Sequence, residues 1–257
     1  MMSTYSKIKV EPLFDGRCLQ ITLNAPKGNV LDGEMMREII AAVEGEGSGE
    51  AVRALVFQGE GSHFSFGASV PEHQKDQVAE MLQTFHQLFR TLITASKPLI
   101  AVVRGQCLGG GLELAAFCHW IFAAEDAWFG QPEIQLAVFP PVASLVLPHR
   151  VGQSAADDLI LTGRSIDAAE AKHLGLVHTI AADPLAAATA FFEKHLLKKS
   201  AQALEHTARA GRFLMYKQFL HHIDQLEKMY VQELMATDDA NEGIAAFLEK
   251  RRPVWKH

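Results

Sequence analysis

Two periodicities alternate along the first two thirds of this chain, and then one of them disappears. The segments "KIKVEPLF" and "CLQITL" read as strands on either side of the turn dipeptide Asp15-Gly16, a β-hairpin signal. In "DGEMMREIIAAVEGEG" the apolar residues Met35, Met36, Ile39, Ile40 and Val43 recur at the three-and-four spacing of one helix face. "VRALVFQG" is again strand-like, residues 75–95 repeat the helical spacing from Val78 to Ile93, and "PLIAVV" returns to strand. Strands alternating with helices across short links imply α/β units around a largely parallel sheet. From about residue 184 only helical patterns remain, so the expected organisation is an α/β core over 1–183 and a helical region over 184–257. That region carries Phe213, Leu214, Phe219, Ile223, Leu226, Met229, Tyr230 and Leu234, more apolar surface than a short helix hides within its own chain. Packing against another subunit is expected.

Composition removes several function classes. The 257 residues are 48% hydrophobic, enough for a sizeable interior, and the formal net charge is −6. A general nucleic-acid binder needs a broad basic surface to displace phosphate counterions, so nucleic acid is not an expected partner. The best candidate for a membrane span, "LELAAFCHWIFAAED", is too short and is interrupted by Glu113 and His119. The amino terminus lacks the basic, apolar and small-residue succession of a secretion signal. Three cysteines without a CxxC pair suit a reducing compartment, so the cytoplasm is the expected location. None of the twelve histidines lies three or four from another on a helix, and no metal is expected.

Residues 105–120, "GQCLGGGLELAAFCHW", place Gly109, Gly110 and Gly111 directly before an apolar run that holds Glu113 as its second residue. Glycine costs conformational entropy, so three together mark a backbone that something approaches closely. A phosphate-binding P-loop is excluded, because no lysine follows. A dinucleotide fingerprint is incomplete, since its third glycine falls at Leu114. Two readings stay open at this point. A helix starting at the glycines aims unpaired N–H groups at a developing oxyanion, or the glycines allow tight strand–helix packing.

Further motifs accompany these glycines in order: "LNAPKGNVL", "FSFGAS", "GQCLGGGLELA", "FGQPEIQL", "AAEAKHLGLV" and a closing "FLEKRRPVW". Together they resemble the crotonase, or enoyl-CoA hydratase/isomerase, superfamily across nearly the whole chain. The resemblance implies a ββα spiral core followed by helices that mediate trimer formation, with trimers able to pair into hexamers. It implies an acyl-CoA thioester as substrate, with no separate cofactor because coenzyme A is part of that substrate. By motif position it assigns the oxyanion hole to the backbone N–H groups of Ala68 and Gly110, and the catalytic carboxyls to Glu113 and Glu133. The coenzyme A and acyl contacts it suggests are Lys27, Gly28, Val30, Phe66, Ser69, Val70, Gly109 and Phe139. Lys250, Arg251, Arg252 and Lys256 form a dense basic cluster, open to two readings: contacts to coenzyme A phosphates, or favourable charges at a helix end.

Hydration needs one carboxylate to deprotonate water and one carboxylic acid to protonate carbon. Glu113, near a helix N-terminus, is expected to be the ionised base, and Glu133, among Phe129, Pro132 and Ile134, the acid with a raised pKa. Ser69 stands where the superfamily usually has aspartate, and "FPPVASLVLP" (139–148) replaces its glycine-rich segment. Its adjacent prolines Pro140 and Pro141 and its lack of glycine lead us to expect a stiff loop and an unusual acyl pocket, lined by Phe66, Phe139, Val142 and Leu145 or built on them as core. Within the superfamily these segments look most like the hydratases that add water 1,4 across cyclohexa-1,5-diene-1-carbonyl-CoA, giving 6-hydroxycyclohex-1-ene-1-carbonyl-CoA in anaerobic benzoyl-CoA degradation. A general 2-enoyl-CoA hydratase or isomerase, and an acyl-CoA-binding or RNA-associated scaffold, are the competing readings.

Overall fold

Asp15 and Gly16 turn the chain so that β1 (Ile8–Leu13) and β2 (Cys18–Leu23) pair antiparallel, with Ile8 opposite Leu23. This is seen in the computed structural model, which describes residues 5–25 and 27–257. After α1 (Gly33–Glu44), whose N-cap Asp32 accepts the Met35 N–H at 2.9 Å, the chain returns in parallel beside β2 as β3 (Ala54–Gly59). It then runs through α2 (Val78–Ala95), β4 (Leu99–Val103), β5 (Gln106–Leu108), α3 (Gly110–Phe117), β6 (Trp120–Ala123) and β7 (Trp128–Gly130). Next come α4 (Pro141–Val151), α5 (Gln153–Thr162), β8 (Ser165–Asp167), α6 (Ala168–His173) and β9 (Thr179–Ile180).

Two sheets result. The larger has the order β1-β2-β3-β4-β6-β9 and is parallel beyond the hairpin; the smaller has the order β5-β7-β8. Isolated pairings of Leu31 with Ala68 and of Ser65 with Cys107 carry the smaller ladder back to earlier turns of the chain. Successive turns thus contribute a strand to the large sheet, an extended segment to the small one and a helix, which is the ββα spiral.

Burial on both faces explains why the large-sheet strands are apolar runs. In β3, Leu55 and Phe57 join the main core, while Ala54 and Val56 face the other way with Ile100, Val102 and Phe122. That second face is covered by Ala188 and Phe192 of α7 (Pro184–His195), the phenylalanine worth ~1.5–3 kcal/mol when buried. From Pro184 on the elements are helical: α7, α8 (Ala201–Gly211), α9 (Phe213–Lys228), a π-helical turn over Met229–Glu233 and α10 (Asp238–Leu248). Residue 184 marks a change of element type, while Met215, Tyr216, Phe219 and Ile223 of α9 belong to the same core cluster as the sheet. Phe213, Leu214 and Leu220 face outward, Leu214 at 74% exposure.

The segment 139–148 corrects the expectation of a stiff loop. Pro140 is the N-cap and Pro141 the first residue of α4, where a missing N–H costs nothing and a fixed φ suits the helix start. The prolines begin a helix, and Pro148 is accommodated within it.

Candidate active site

The three glycines turn out to have separate tasks. Gly109 has φ +50°, and a Cβ there would lie 2.7 Å from Glu133 Oε1. Only a glycine allows that carboxyl to come so close. A Cβ on Gly110 would lie 3.1 Å from Ala68 N, so the two candidate oxyanion donors come from adjacent backbone. At Gly111 a Cβ would meet Ser65 Cβ at 2.7 Å, which is a packing constraint and leaves no room for a ligand. Both open readings of the glycine run therefore have residues behind them.

The candidate donors are free for a physical reason. In the pairing of Leu31 with Ala68, the Gly67 carbonyl accepts the Leu31 N–H and Ser69 N–H donates to the Leu31 carbonyl, so the Ala68 N–H points away from that partner. Gly110 begins α3, where an N–H has no intrahelical acceptor. Among the described residues neither N–H has a hydrogen-bond partner.

Glu113 projects from the first turn of α3, is 3% exposed, and its Oε1 accepts the Ala143 N–H at 2.8 Å from the first turn of α4. Burial lifts its pKa to about 7 against that hydrogen bond. The helix N-terminus was expected to favour the ionised form, and desolvation outweighs it. Glu133 sits in a short 3-10 turn after Pro132, and burial, then the charge of Glu113, raise its pKa well above the carboxylate range. Of the two, Glu113 is the one that ionises first. Gln131, fully buried, holds its carboxamide 3.0 Å from both Glu133 oxygens. Its NH2 can donate to the carboxylate, and its oxygen can accept from the acid.

A cavity of about 300 Å³ opens beside Glu133. Of the residues singled out in the sequence, Phe66, Ala68, Val70, Gly109 and Glu133 line it. Lys27 and Gly28 line a neighbouring depression with Asn29 and His63. Phe66, 44% exposed, stands between the two, its ring over Gly28, where a Cβ would come within 2.4 Å. Glu113, Gly110, Val30, Ser69 and Phe139 line neither space; Phe139 packs instead on Tyr230, ring centroids 5.2 Å apart. Val142 is fully buried core, and Leu145 packs against that core.

Three contributors escaped the sequence reading. His73 lines the cavity, and its Nδ1 donates to the Ser69 carbonyl at 2.8 Å, leaving Nε2 as the acceptor; burial keeps the ring neutral by lowering its pKa. Gln131 was legible in principle, two residues before Glu133 in "FGQPEI". Tyr230 was read as an apolar helix position. His63 is structural, its Nδ1 accepting the Gln106 N–H at 3.1 Å, and burial pushes the Cys107 thiol far above its usual range, so it stays unreactive. In the basic cluster Arg251 pairs with Glu242 and Glu249, and Lys256 with Asp238. Among the described residues no three His, Cys, Asp or Glu side chains group to hold a metal, and no helix is long and apolar enough to cross a membrane.

Residues 14–257 match the model of the enoyl-CoA hydratase/isomerase family. The chain belongs to that family. It is 46% identical to the cyclohexa-1,5-dienecarbonyl-CoA hydratase of Thauera aromatica, covering all of both chains. It is 34% identical to the 2,3-dehydroadipyl-CoA hydratase of Escherichia coli (strain K12), over 93% of this chain and 95% of that one. A solved enoyl-CoA hydratase/isomerase from Xanthobacter autotrophicus Py2 superposes with a TM-score of 0.81 at 31% identity, covering 96% of this chain and 93% of that one. An enoyl-CoA hydratase from Mycobacterium avium subsp. paratuberculosis K-10 reaches a TM-score of 0.86 at 25% identity, covering 99% and 100%. The family's fold is thus the fold of this chain, a spiral core with a helical C-terminal region.

Proposed function

We propose that this hydro-lyase adds water to cyclohexa-1,5-diene-1-carbonyl-CoA, producing 6-hydroxycyclohex-1-ene-1-carbonyl-CoA as a step of benzoyl-CoA degradation. The observation that carries a hydratase reading is the pair Glu113 and Glu133, buried in one another's field with the first ionising near neutrality and the second held protonated. One base and one acid, poised together, are what water addition requires. The acyl group follows from the Thauera aromatica relative, similar from end to end.

In this reading the thioester carbonyl accepts the Ala68 and Gly110 N–H groups. Glu113 takes a proton from water as its oxygen bonds to the β-carbon, and the electron pair of the double bond moves toward the carbonyl. The resulting dienolate is stabilised by the two N–H donors. Glu133 then gives its proton to the far carbon of the conjugated system, and the remaining double bond shifts into conjugation with the thioester. Water has been added whole across four carbons, and proton exchange returns the two carboxyls to their starting states. Coenzyme A enters as part of the substrate, and Lys27, Gly28, Val30, Phe66, Ser69, Val70, Gly109 and Phe139 are the proposed contacts to the coenzyme and acyl group. A homotrimer or hexamer is the proposed assembly and the cytoplasm the proposed location.

The test follows purified protein with the cyclic diene and, separately, crotonyl-CoA, identifying products by mass. Water addition to the diene at a kcat/KM far above that for crotonyl-CoA is expected. Turnover of crotonyl-CoA alone would instead establish a general 2-enoyl-CoA hydratase, and thioester binding without turnover a scaffold.

A further inference from the structure

Tyr230 carries a polar atom that nothing in the fold accounts for. The residue is 1% exposed, and its hydroxyl has no hydrogen-bond partner among the described residues. A buried hydroxyl left unpaired is costly, so it calls for a partner that arrives later. Three other buried polar atoms share this condition: His86 Nε2, His119 Nε2 and Arg150 Nε. Tyr230 differs in its surroundings. Its ring packs 5.2 Å from that of Phe139 and stands 6.5 Å from that of the cavity-lining His73. Burial first, and then the charges of Glu133 and Glu113, push its phenol upward, so the hydroxyl stays a donor at every working pH. It also sits in the π-helical turn Met229–Glu233, a local irregularity common where a helix must aim one side chain at a site.

What the donor would meet follows from the ligand. The acyl ring of a cyclic dienoyl thioester is hydrocarbon apart from its carbonyl, and the carbonyl is already matched to Ala68 and Gly110. The other oxygen at that end of the site is the one that is added. We infer that Tyr230 Oη donates a hydrogen bond to the oxygen that enters as water and remains as the ring hydroxyl of the product. Tyr230 would then help to hold the attacking oxygen, and the phenol would recognise the hydroxylated acyl group. This assignment rests on the proposed hydratase reading.

The experiment is a binding comparison in a Glu133→Gln background, where dehydration of the hydroxylated ligand is slow on the timescale of the measurement. Dissociation constants are measured for 6-hydroxycyclohex-1-ene-1-carbonyl-CoA and for cyclohex-1-ene-1-carbonyl-CoA, with Tyr230 intact and as Tyr230→Phe. The intact site is expected to prefer the hydroxylated ligand by about tenfold, the worth of one good hydrogen bond, and Tyr230→Phe to lose that preference. An unchanged preference, or equal weakening of both ligands, overturns the assignment; a purely packing role would produce the second pattern. The thermal midpoint of ligand-free Tyr230→Phe should equal or exceed that of its parent, because no bond is removed; a drop beside an unchanged preference shows a structural partner and overturns the assignment too. The pair 3-hydroxybutyryl-CoA and butyryl-CoA is run in parallel. If the ring compounds fail to bind but the linear pair is discriminated through Tyr230, the substrate reading fails and the role of Tyr230 stands.

Discussion

Two carboxyls in one low-dielectric site lose their protons one after the other, because the first charge opposes the second. With Glu113 near 7 and Glu133 well above, kcat/KM for hydration should follow a bell, falling below about pH 7 as Glu113 is protonated and falling again at higher pH as Glu133 ionises. Glu113→Gln should remove the acid limb and Glu133→Gln the alkaline limb, each lowering kcat by roughly 10²–10⁴-fold; steady-state rates across pH decide this. Stability carries the opposite sign from the usual salt-bridged carboxylate. A folded-state pKa above the unfolded value means the native protein binds more protons, so stability falls as pH rises from about 4.5 through about 7. Glu113→Gln should therefore be the more stable protein at pH 8 by roughly 1–3 kcal/mol, with the gain fading toward pH 4.5. Urea midpoints at the two pH values measure it. At Gly109 the constraint is spatial: Gly109→Ala drives a methyl to 2.7 Å from Glu133 Oε1, and a displaced carboxyl should cost about a hundredfold in kcat while circular dichroism stays native.

At the scale of elements, the site depends on loops whose conformation is expensive and therefore held. Lys27, Gly28 and Asn29 take positive φ values of 65°, 113° and 49° in succession. Asn29 secures the stretch: its Oδ1 accepts the Ala25 N–H at 3.1 Å, and its Nδ2 donates to the carbonyls of Glu60 at 3.0 Å and His63 at 2.9 Å. Asn29→Ala should cost roughly 2–4 kcal/mol in urea unfolding and raise KM for the acyl-CoA more than it lowers kcat. The loop was legible as a motif, "LNAPKGNVL", but the role of Asn29 was not, because the two carbonyls its amide donates to lie more than thirty positions away. The first four strands and the first two helices were legible from their periods, and α2 starts within three residues of the expected place; the short strands β5 to β9 span too few residues to show a period. Where reading failed, at 139–148, two prolines were counted against regular structure although the first turn of a helix tolerates them. That helix then supplies the Ala143 N–H to Glu113, a contact that only the folded chain brings together.

Across the whole molecule, α9 has two faces with different fates. Met215, Tyr216, Phe219 and Ile223 enter the core, and at its end Tyr230 reaches the field of the carboxyls; on the other side Phe213, Leu214 and Leu220 stand in solvent. Apolar periodicity in the sequence could not separate these faces, since both read as one hydrophobic helix. It also could not show that a residue of the helical region approaches a glutamate of the spiral core, a long-range consequence of packing. Three large apolar side chains grouped on one exposed helix face cost solubility unless another surface covers them, and the family resemblance supplies a second copy of this chain as the cover. Sedimentation equilibrium should then give a mass three or six times that of the chain. Leu214→Glu, placed where exposure is 74%, should leave the core intact and shift the assembly to monomer, because an unpaired charge at an apolar interface is costly to desolvate. A wild type that sediments as a single chain would leave that face uncovered in solution and remove the trimer from the proposal. If Leu214→Glu dissociates the assembly and also lowers kcat, the assembly is what holds α9, and with it Tyr230, in register with Glu113 and Glu133; dissociation at unchanged kcat would show that each spiral completes its site alone.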